Sequence, residues 1–164
     1  MLTQNFLKSR TSTRDFKEDN LSSKVVEELN KEMEASAEKY GREDIEFLLL
    51  AEGDEVYQKL QGLAGYKGVM IKAPSYIALN TLNDKKETYV KAAYATEELI
   101  TKLNELKLGN CWITVSEVEE DIKKSAFNYT EGDVSILLAI GYPIDDTVRE
   151  HKYYDRLANS DLVY

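Results

Sequence analysis

The sequence predicts an α+β fold in which helices cover both faces of a small antiparallel or mixed sheet, forming three layers. Short, strongly apolar runs typical of buried strands alternate with longer segments whose apolar residues recur at helical spacing. The elements do not follow the regular β-α-β order that a doubly wound parallel sheet requires. With 164 residues, 43% of them hydrophobic, the chain is predicted to form one domain spanning residues 1–164.

Two long helices are predicted from periodicity. In the first, Ser22 or Ser23 caps the N-terminus, apolar residues recur every three or four positions, and Gly41 ends the helix. The second covers residues 86–107 and carries a wide apolar stripe along one side. Two shorter helices are predicted over residues 2–8 and 55–61.

Three strands are predicted, over residues 46–51, 73–79 and 134–142. Pro74 opens the second strand, a position at which proline is tolerated, and the third strand is apolar enough to be central. Gly109 is predicted to lie in a turn that leads into Cys-Trp-Ile at residues 111–113. Thr114 or Ser116 is predicted to cap a further helix, and Thr114 and Glu117 fit a capping box.

Charge and composition exclude several classes of function. The net charge of −9 argues against nucleic acid as a partner, because phosphate backbones require a basic face. A single cysteine excludes an internal disulfide and a multi-cysteine zinc site, and no metal site is predicted. The only histidine, His151, lies in a polar stretch and gives little support to a catalytic triad. Without a signal peptide or a long apolar run, the protein is expected to be cytoplasmic, with no membrane partner.

The most informative motif is Arg-Thr-Ser-Thr-Arg at residues 10–14. If this segment is extended, the two arginines and the serine between them lie on one side of the chain. Two guanidinium groups beside a hydroxyl form a receptor for a phosphate monoester, since charge-assisted bonds to phosphate are strong and often bidentate. The alternative is a solvated surface loop in which the arginines pair with Asp15 or Glu18.

Four segments follow one another along nearly the whole chain. Residues 10–16 fit Arg-x-Ser-x-Arg/Lys-x-Phe, and residues 72–74 are Lys-Ala-Pro leading into a strand. Residues 108–113 are similar to Leu-Gly-Thr-Cys-Trp-Ile, and residues 138–143 end a strand in Gly-Tyr-Pro. In this order, the four segments resemble the nitroreductase family of flavin enzymes.

The resemblance implies a nitroreductase-like fold and an FMN-dependent NAD(P)H oxidoreductase. Such an enzyme is expected to be a homodimer that holds the flavin at its subunit interface. It would reduce a small oxidised organic compound, such as a nitro compound or a quinone, by two electrons. Because the hydride passes between nicotinamide and flavin, no catalytic side chain is expected.

The resemblance also implies which residues bind FMN. Arg10, Ser12 and Arg14 are expected at the phosphate, the ribityl chain and the pyrimidine edge. The backbone N–H of Thr114 is expected to face flavin N5. Further expected contacts come from Tyr66, Lys67, Trp112 and Ile113, and from a basic residue after Gly-Tyr-Pro, for which Arg149, Lys152 and Arg156 are open alternatives.

Two features depart from the family pattern. Val115 stands where many members have glycine, and it is expected to crowd the flavin ring or alter the turn. Residues 144–164 form a shorter tail than the family's usual C-terminal extension. These departures leave open an FMN-binding carrier or sensor without efficient turnover. The net negative charge is consistent with a further alternative, an interaction module that kept the fold and lost the cofactor.

Several other residues are open to more than one interpretation. Tyr76, Tyr89 and Tyr94 are candidates for a substrate pocket, for the core or for a dimer interface. Trp112 and Cys111 are residue types that are commonly buried, so packing is the alternative to a role in chemistry. The acidic run at residues 117–121 is expected to be the solvated N-terminus of a helix, where negative charge is favourable.

Overall fold

The computed structural model describes residues 10–144, in which helices and strands alternate along the chain. In chain order the elements are α1 (Ser23–Tyr40), β1 (Ile45–Leu50), α2 (Gly53–Leu60), β2 (Ser75–Thr81), α3 (Lys86–Glu105), β3 (Gly109–Thr114), α4 (Glu120–Phe127) and β4 (Asp133–Gly141). The strands form one antiparallel sheet in the order β1-β2-β4-β3. This confirms the α+β prediction. The helix predicted over residues 2–8 lies outside the described residues.

Each face of the sheet is covered by two helices. Because side chains alternate across a strand, Leu137 and Leu138 of β4 point into different cores. Leu138 packs with residues of α1 and α3, including Leu29 and Leu99. Leu137 packs with residues of α2 and α4, including Phe127. The predicted three-layer arrangement is therefore confirmed.

The ends of α1 follow the capping signals in the sequence. The Ser22 hydroxyl oxygen accepts a hydrogen bond from the Val25 N–H at 3.4 Å, which satisfies a donor of the first turn. Gly41 adopts a φ of 112° and its N–H donates to the Ala37 carbonyl, which ends the helix. Both predicted caps are confirmed. Within the described residues, no helix combines the length and the hydrophobicity needed to cross a membrane.

Gly109 begins a strand, so the prediction of a turn there is wrong. Strand β3 pairs with β4 over its whole length, from Gly109 opposite Gly141 to Thr114 opposite Ile136. The six residues of this edge strand include only three that are apolar, and its extended conformation is stabilised by the ladder with β4. The strand was missed because its first two residues, glycine and asparagine, are common in turns.

The predicted capping box at Thr114 is also wrong. Helix α4 begins at Glu120, with Glu119 in the N-cap position. Thr114 ends β3, and its hydroxyl hydrogen-bonds to the Ser116 hydroxyl at 3.0 Å. The prediction of an acidic helix N-terminus is confirmed, because Glu120 and Asp121 occupy the first turn of α4.

Tyr76 belongs to the core and not to a pocket open to solvent. It is fully buried, its hydroxyl donates to the Ile71 carbonyl at 2.8 Å, and the same hydroxyl accepts from the Ala73 N–H at 3.1 Å. Burial raises the pKa of Tyr76 to about 12, so the hydroxyl remains protonated. These bonds fix the Lys-Ala-Pro segment that precedes β2.

A buried lysine joins α4 to the start of β4. The Lys123 side chain is 5% exposed, and its ammonium group contacts the Asp133 carboxylate and lies 2.9 Å from that of Glu120. Burial alone would raise the pKa of Asp133, but hydrogen bonds from Lys123 and Ser135 outweigh it and lower the pKa below its ordinary value of 3.8. The folded state therefore favours the ionised carboxylate.

We predict that Lys123→Met lowers the free energy of unfolding by about 2 kcal/mol at pH 7, because it leaves the two carboxylates without their cation. Stability from the lowered pKa of Asp133 is present above about pH 4 and is lost as the pH falls through that pKa. The difference from the unsubstituted protein should accordingly shrink in acid, as measured by urea unfolding. Lys124→Met is the matched control, because the Lys124 side chain is 42% exposed and lies 3.7 Å from Glu120. A loss as large in the control would contradict this account.

Candidate functional site

Strand β3 lies at one edge of the sheet, so half of its backbone groups point away from the other strands. The N–H of Val115, directly after β3, donates to the Ser135 carbonyl at 2.9 Å. Residues in an antiparallel ladder alternate between facing the neighbouring strand and facing outward. The Val115 bond therefore turns the backbone groups of Asn110, Trp112 and Thr114 outward. We call these three residues the free edge of β3.

Two distant segments of the chain bind the ends of this free edge. The Thr13 N–H donates to the Asn110 carbonyl, and the Gly65 N–H donates to the Thr114 carbonyl, each at 2.9 Å. At a rise of about 3.3 Å per residue, the two carbonyls lie roughly 13 Å apart along the strand. The N–H of Thr114 lies between the two contacts and has no backbone acceptor among the described residues. It is available as a hydrogen-bond donor.

Residues 10–14 pass beside the end of β3 with side chains that alternate in exposure. Ser12 and Arg14 are exposed, whereas Thr13 packs against Gly109. A Cβ atom at Gly109 would lie 2.4 Å from the Thr13 hydroxyl oxygen, so glycine is required for this close approach. Ser12 and Arg14 are therefore both open to solvent, and Thr13 between them is partly buried.

Arg10 departs from that pattern because its guanidinium group turns to helix α3. Its Nη1 donates to the Glu97 carboxylate, and the two side chains are 29% and 31% exposed. Arg14 instead lines a cleft of about 550 Å³ together with Lys72 and the start of α2 at Gly53. Arg10 is not among the residues that line this cleft. The structure thus does not bring the two arginines to one cavity.

The loop at residues 62–68, which binds the other end of β3, is a tight turn. All three of its glycines and Lys67 have a positive φ. A Cβ atom at Gly65 would lie 2.1 Å from the Val69 carbonyl oxygen, so this position requires glycine. Lys67, with a φ of 53°, adopts a conformation that costs a non-glycine residue about 1 kcal/mol. The turn leaves the Tyr66 side chain 78% exposed, with the Lys67 ammonium 5.4 Å from the ring centroid.

Comparison with known proteins agrees with the four sequence motifs. The model of a family described as "Putative TM nitroreductase" matches residues 3–162. The chain belongs to the nitroreductase family. This match includes all four motifs and confirms the resemblance inferred from them. No curated protein matches the sequence.

Solved structures of the nitroreductase family have the same fold at low sequence identity. An FMN-dependent nitroreductase from Clostridium difficile R20291 is 20% identical, with a TM-score of 0.71 over 92% of this chain and 93% of its own. A nitroreductase family protein from Clostridium difficile 630 is 19% identical, with a TM-score of 0.72 over 100% of this chain and 98% of its own. The NADPH:FMN oxidoreductase from Vibrio harveyi complexed with NAD+ is 13% identical, with a TM-score of 0.71 over 98% of this chain and 75% of its own.

The three predicted site residues at the end of β3 have different surroundings in this nitroreductase family member. Trp112 is half-buried against the core under α1 and α3, and Thr114 is exposed. Ile113 is 2% exposed in the opposite core, and its backbone faces β4. Val115 is 1% exposed in that same core, so its side chain points away from the free edge and does not crowd it.

Other predicted residues are not placed, and one contact was missed. Arg149, Lys152, Arg156 and His151 lie outside the described residues. Glu97, which binds Arg10, was not predicted, because 87 residues separate the two and nothing in the local sequence marks this glutamate. The role of Gly65 has a signal in the sequence, since three glycines within residues 62–68 are typical of a loop.

A small apolar cavity lies beside the free edge of β3. Its volume is about 150 Å³, and it lies between the N-terminal half of α3 and the sheet, with Tyr89, Ala93, Trp112 and Ile136 in its wall. Ile136 is the cross-strand neighbour of Thr114. A larger cavity of about 670 Å³ lies between α1 and β1, but none of the predicted site residues lines it.

The glycines of the loop allow a matched test of its geometry. We predict that Gly65→Ala destabilises the protein by at least about 1 kcal/mol more than Gly62→Ala, because only the first substitution drives a Cβ atom into a backbone carbonyl. Both glycines have a φ near 80°, so the backbone cost of alanine is similar, and a Cβ atom at Gly62 meets nothing within 4 Å. Thermal or urea unfolding of the two variants measures the difference. Equal losses would mean that the Gly65 turn is looser than the structure indicates.

Proposed function

We propose that this protein is an FMN-dependent oxidoreductase that transfers a hydride from NAD(P)H, through FMN, to a small oxidised organic acceptor such as a nitro compound or a quinone. The observation that carries the proposal is the outward-facing N–H of Thr114, which lies between the Arg10–Arg14 segment and the Tyr66 loop. An FMN-dependent nitroreductase and an NADPH:FMN oxidoreductase are among the proteins that have this fold.

The residues around the free edge fit the two chemically different ends of FMN. At the Asn110 end, the exposed Ser12 and the partly exposed Arg10 supply hydroxyl and guanidinium donors suited to a phosphate, and Arg14 would join them by turning out of the cleft that it lines with Lys72. At the Thr114 end, a backbone N–H and the exposed Tyr66 ring suit the edge and face of a planar heterocycle. The separation of roughly 13 Å between the two ends suits an elongated ligand.

The chemistry expected of the protein is binding and orientation. When bound, FMN supplies the two-electron redox chemistry, so the chain needs no nucleophilic side chain. The N–H of Thr114 would donate a hydrogen bond to the flavin edge, and the arginines would neutralise the phosphate. The tight Tyr66 loop, fixed to β3 through Gly65, holds one wall of the site in place. A cytoplasmic location, suggested by the single cysteine, is part of the same proposal.

The proposal includes a homodimer formed through α3. The cavity beside Trp112 has a volume of about 150 Å³, whereas pockets that enclose a ligand usually have about 300 Å³ or more. One protomer therefore leaves a planar ring open to solvent on this side. Around the cavity, Tyr89, Val90 and Tyr94 of α3 are 47%, 56% and 65% exposed, an apolar surface that a second copy would bury.

One observation favours a second candidate, the interaction module without cofactor. The Arg10–Glu97 ion pair already neutralises one of the two cations expected to bind phosphate. Purified protein distinguishes the candidates by colour, because bound FMN is yellow and absorbs visible light. Colourless protein that cannot be reconstituted with FMN would exclude both the oxidoreductase and the carrier. Oxidation of NADH or NADPH that depends on a nitroaromatic or a quinone separates the enzyme from the carrier.

We predict that Arg10→Ala combined with Arg14→Ala weakens FMN binding at least tenfold, because a hydrogen bond to a charged group contributes about 1.5–3 kcal/mol. Binding is measured by titrating the apoprotein with FMN and following flavin fluorescence. Arg42→Ala is the control, because Arg42 is an exposed arginine that pairs with Glu34 and Glu38 on the surface of α1. Unchanged affinity in the double variant would mean that the phosphate binds elsewhere.

We predict that Tyr94→Glu converts the dimer to a monomer in sedimentation experiments, because it places a charge in the proposed apolar interface. Since Tyr94 is 65% exposed in the protomer, the substitution leaves the fold intact, which circular dichroism checks. Gln58→Glu, which adds the same charge at an exposed position of α2, should leave the dimer unaffected. A flavin-loaded monomer in the unsubstituted protein would contradict the dimer proposal.

A further inference from the structure

We propose that Glu97 is a positioning residue that holds Arg10 in the orientation in which it binds the phosphate of FMN. The inference rests on the proposed function, because it concerns the same cofactor. It assigns a role to a helix residue that lies outside all four motifs of the chain. Its basis is the hydrogen bond between Arg10 and Glu97 and the position of both residues beside β3.

The geometry of the pair leaves Arg10 able to bind a second anion. Glu97 accepts from Nη1 alone, and a guanidinium group carries five N–H donors on three nitrogens. Among residues 10–144 the donors on Nε and Nη2 have no hydrogen-bond partner, which leaves them for the bidentate contact that phosphate favours. The carboxylate and the phosphate would then lie at different edges of one cation. Their mutual repulsion acts over a longer distance than the attraction of each to the guanidinium, so it is the weaker effect.

The location of Glu97 on α3 supports this role. Glu97 follows Tyr89 and Ala93 at intervals of four residues, so the three lie along one side of the helix, the side that borders the cavity beside Trp112. Arg10 comes three residues before Thr13, whose N–H binds Asn110. The pair therefore ties the phosphate-binding segment to α3 at the end of the free edge where the phosphate is expected.

Partial burial distinguishes this ion pair from the neighbouring pair made by Glu98 on the same helix. Both side chains are about 30% exposed, so solvent screens the pair less than it screens a surface pair. The next residue, Glu98, pairs with Lys39 at 2.6 Å, and their side chains are 38% and 56% exposed. Arginine has a long, flexible side chain, and fixing it before the ligand arrives reduces the entropy lost on binding.

The test compares binding of FMN with binding of riboflavin, which has the same ring and no phosphate. In Glu97→Ala we expect FMN to bind roughly fivefold more weakly and riboflavin to bind as before, since only the phosphate contact depends on Arg10. Glu97→Gln keeps an acceptor for Nη1 and should lose less, about twofold. Glu98→Ala is the matched control and should change neither affinity.

A double-mutant cycle separates positioning from a general effect on the fold. If Glu97 acts through Arg10, then adding Glu97→Ala to Arg10→Ala should cause no further loss of FMN affinity. The inference is overturned if Glu97→Ala causes the same loss of FMN affinity with and without Arg10→Ala. It is also overturned if Glu97→Ala weakens FMN and riboflavin binding equally, or if it leaves FMN binding unchanged. Tighter FMN binding in Glu97→Ala would also overturn it, because Glu97 would then compete with the phosphate for Arg10.

Three further outcomes are also decisive. If thermal unfolding shows that Glu97→Ala does not fold, Glu97→Gln replaces it in the test. A ratio of FMN affinity to riboflavin affinity in Glu97→Gln equal to that of the unsubstituted protein overturns the inference. If the unsubstituted protein binds neither flavin, the proposed function fails and this inference fails with it. If it binds FMN while the Glu97 variants behave like the Glu98 control, the inference alone fails.

Discussion

The register between β3 and β4 is the constraint on which the candidate site depends. The bond from the Val115 N–H to the Ser135 carbonyl fixes which residues of β3 face the sheet and which face outward. A shift of one residue would turn the Thr114 N–H toward β4 and move Trp112 to the other core. Close packing at the start of β3 supports this register, because a Cβ atom at Gly109 or at its partner Gly141 would lie less than 3 Å from a neighbouring side chain.

The cations at the candidate site are opposite in sign to the net charge of the whole chain. A net charge of −9 repels anions, so an anionic ligand depends on cations held locally. Arg10 is held by a carboxylate, whereas Arg14 makes no ion pair within the described residues and lines a cleft with Lys72. A paired and a solvated arginine differ in how freely they move, which makes the first a preorganised donor and the second an adaptable one.

The sequence predicted the elements whose signals are local and missed those that depend on pairing. Ser22 and Gly41 mark the ends of α1 because caps are made by neighbouring residues, and β4 is apolar enough to identify as a central strand. Strand β3 could not be identified in this way, since its extended conformation comes from hydrogen bonds to β4. The Thr114 capping signal was misleading for the same reason, because Thr114 is held at the end of β3 by its pairing with Ile136 of β4. The motif at residues 10–14 was recognised, but its contact with Glu97 depends on how α3 packs.

The contacts that assemble the site are largely made by the backbone. Thr13, Gly65 and Val115 each join separate segments through an N–H and a carbonyl, and such bonds place few demands on side-chain identity. Glycine is required where another segment approaches closely, as at Gly65, which faces a backbone carbonyl, and at Gly109, which faces the Thr13 side chain. A fold built in this way can persist while most side chains change, which accounts for TM-scores near 0.7 at identities of 13–20%. Side chains that line the site are then free to differ between relatives, so what a member of this family binds has to be argued from its own residues.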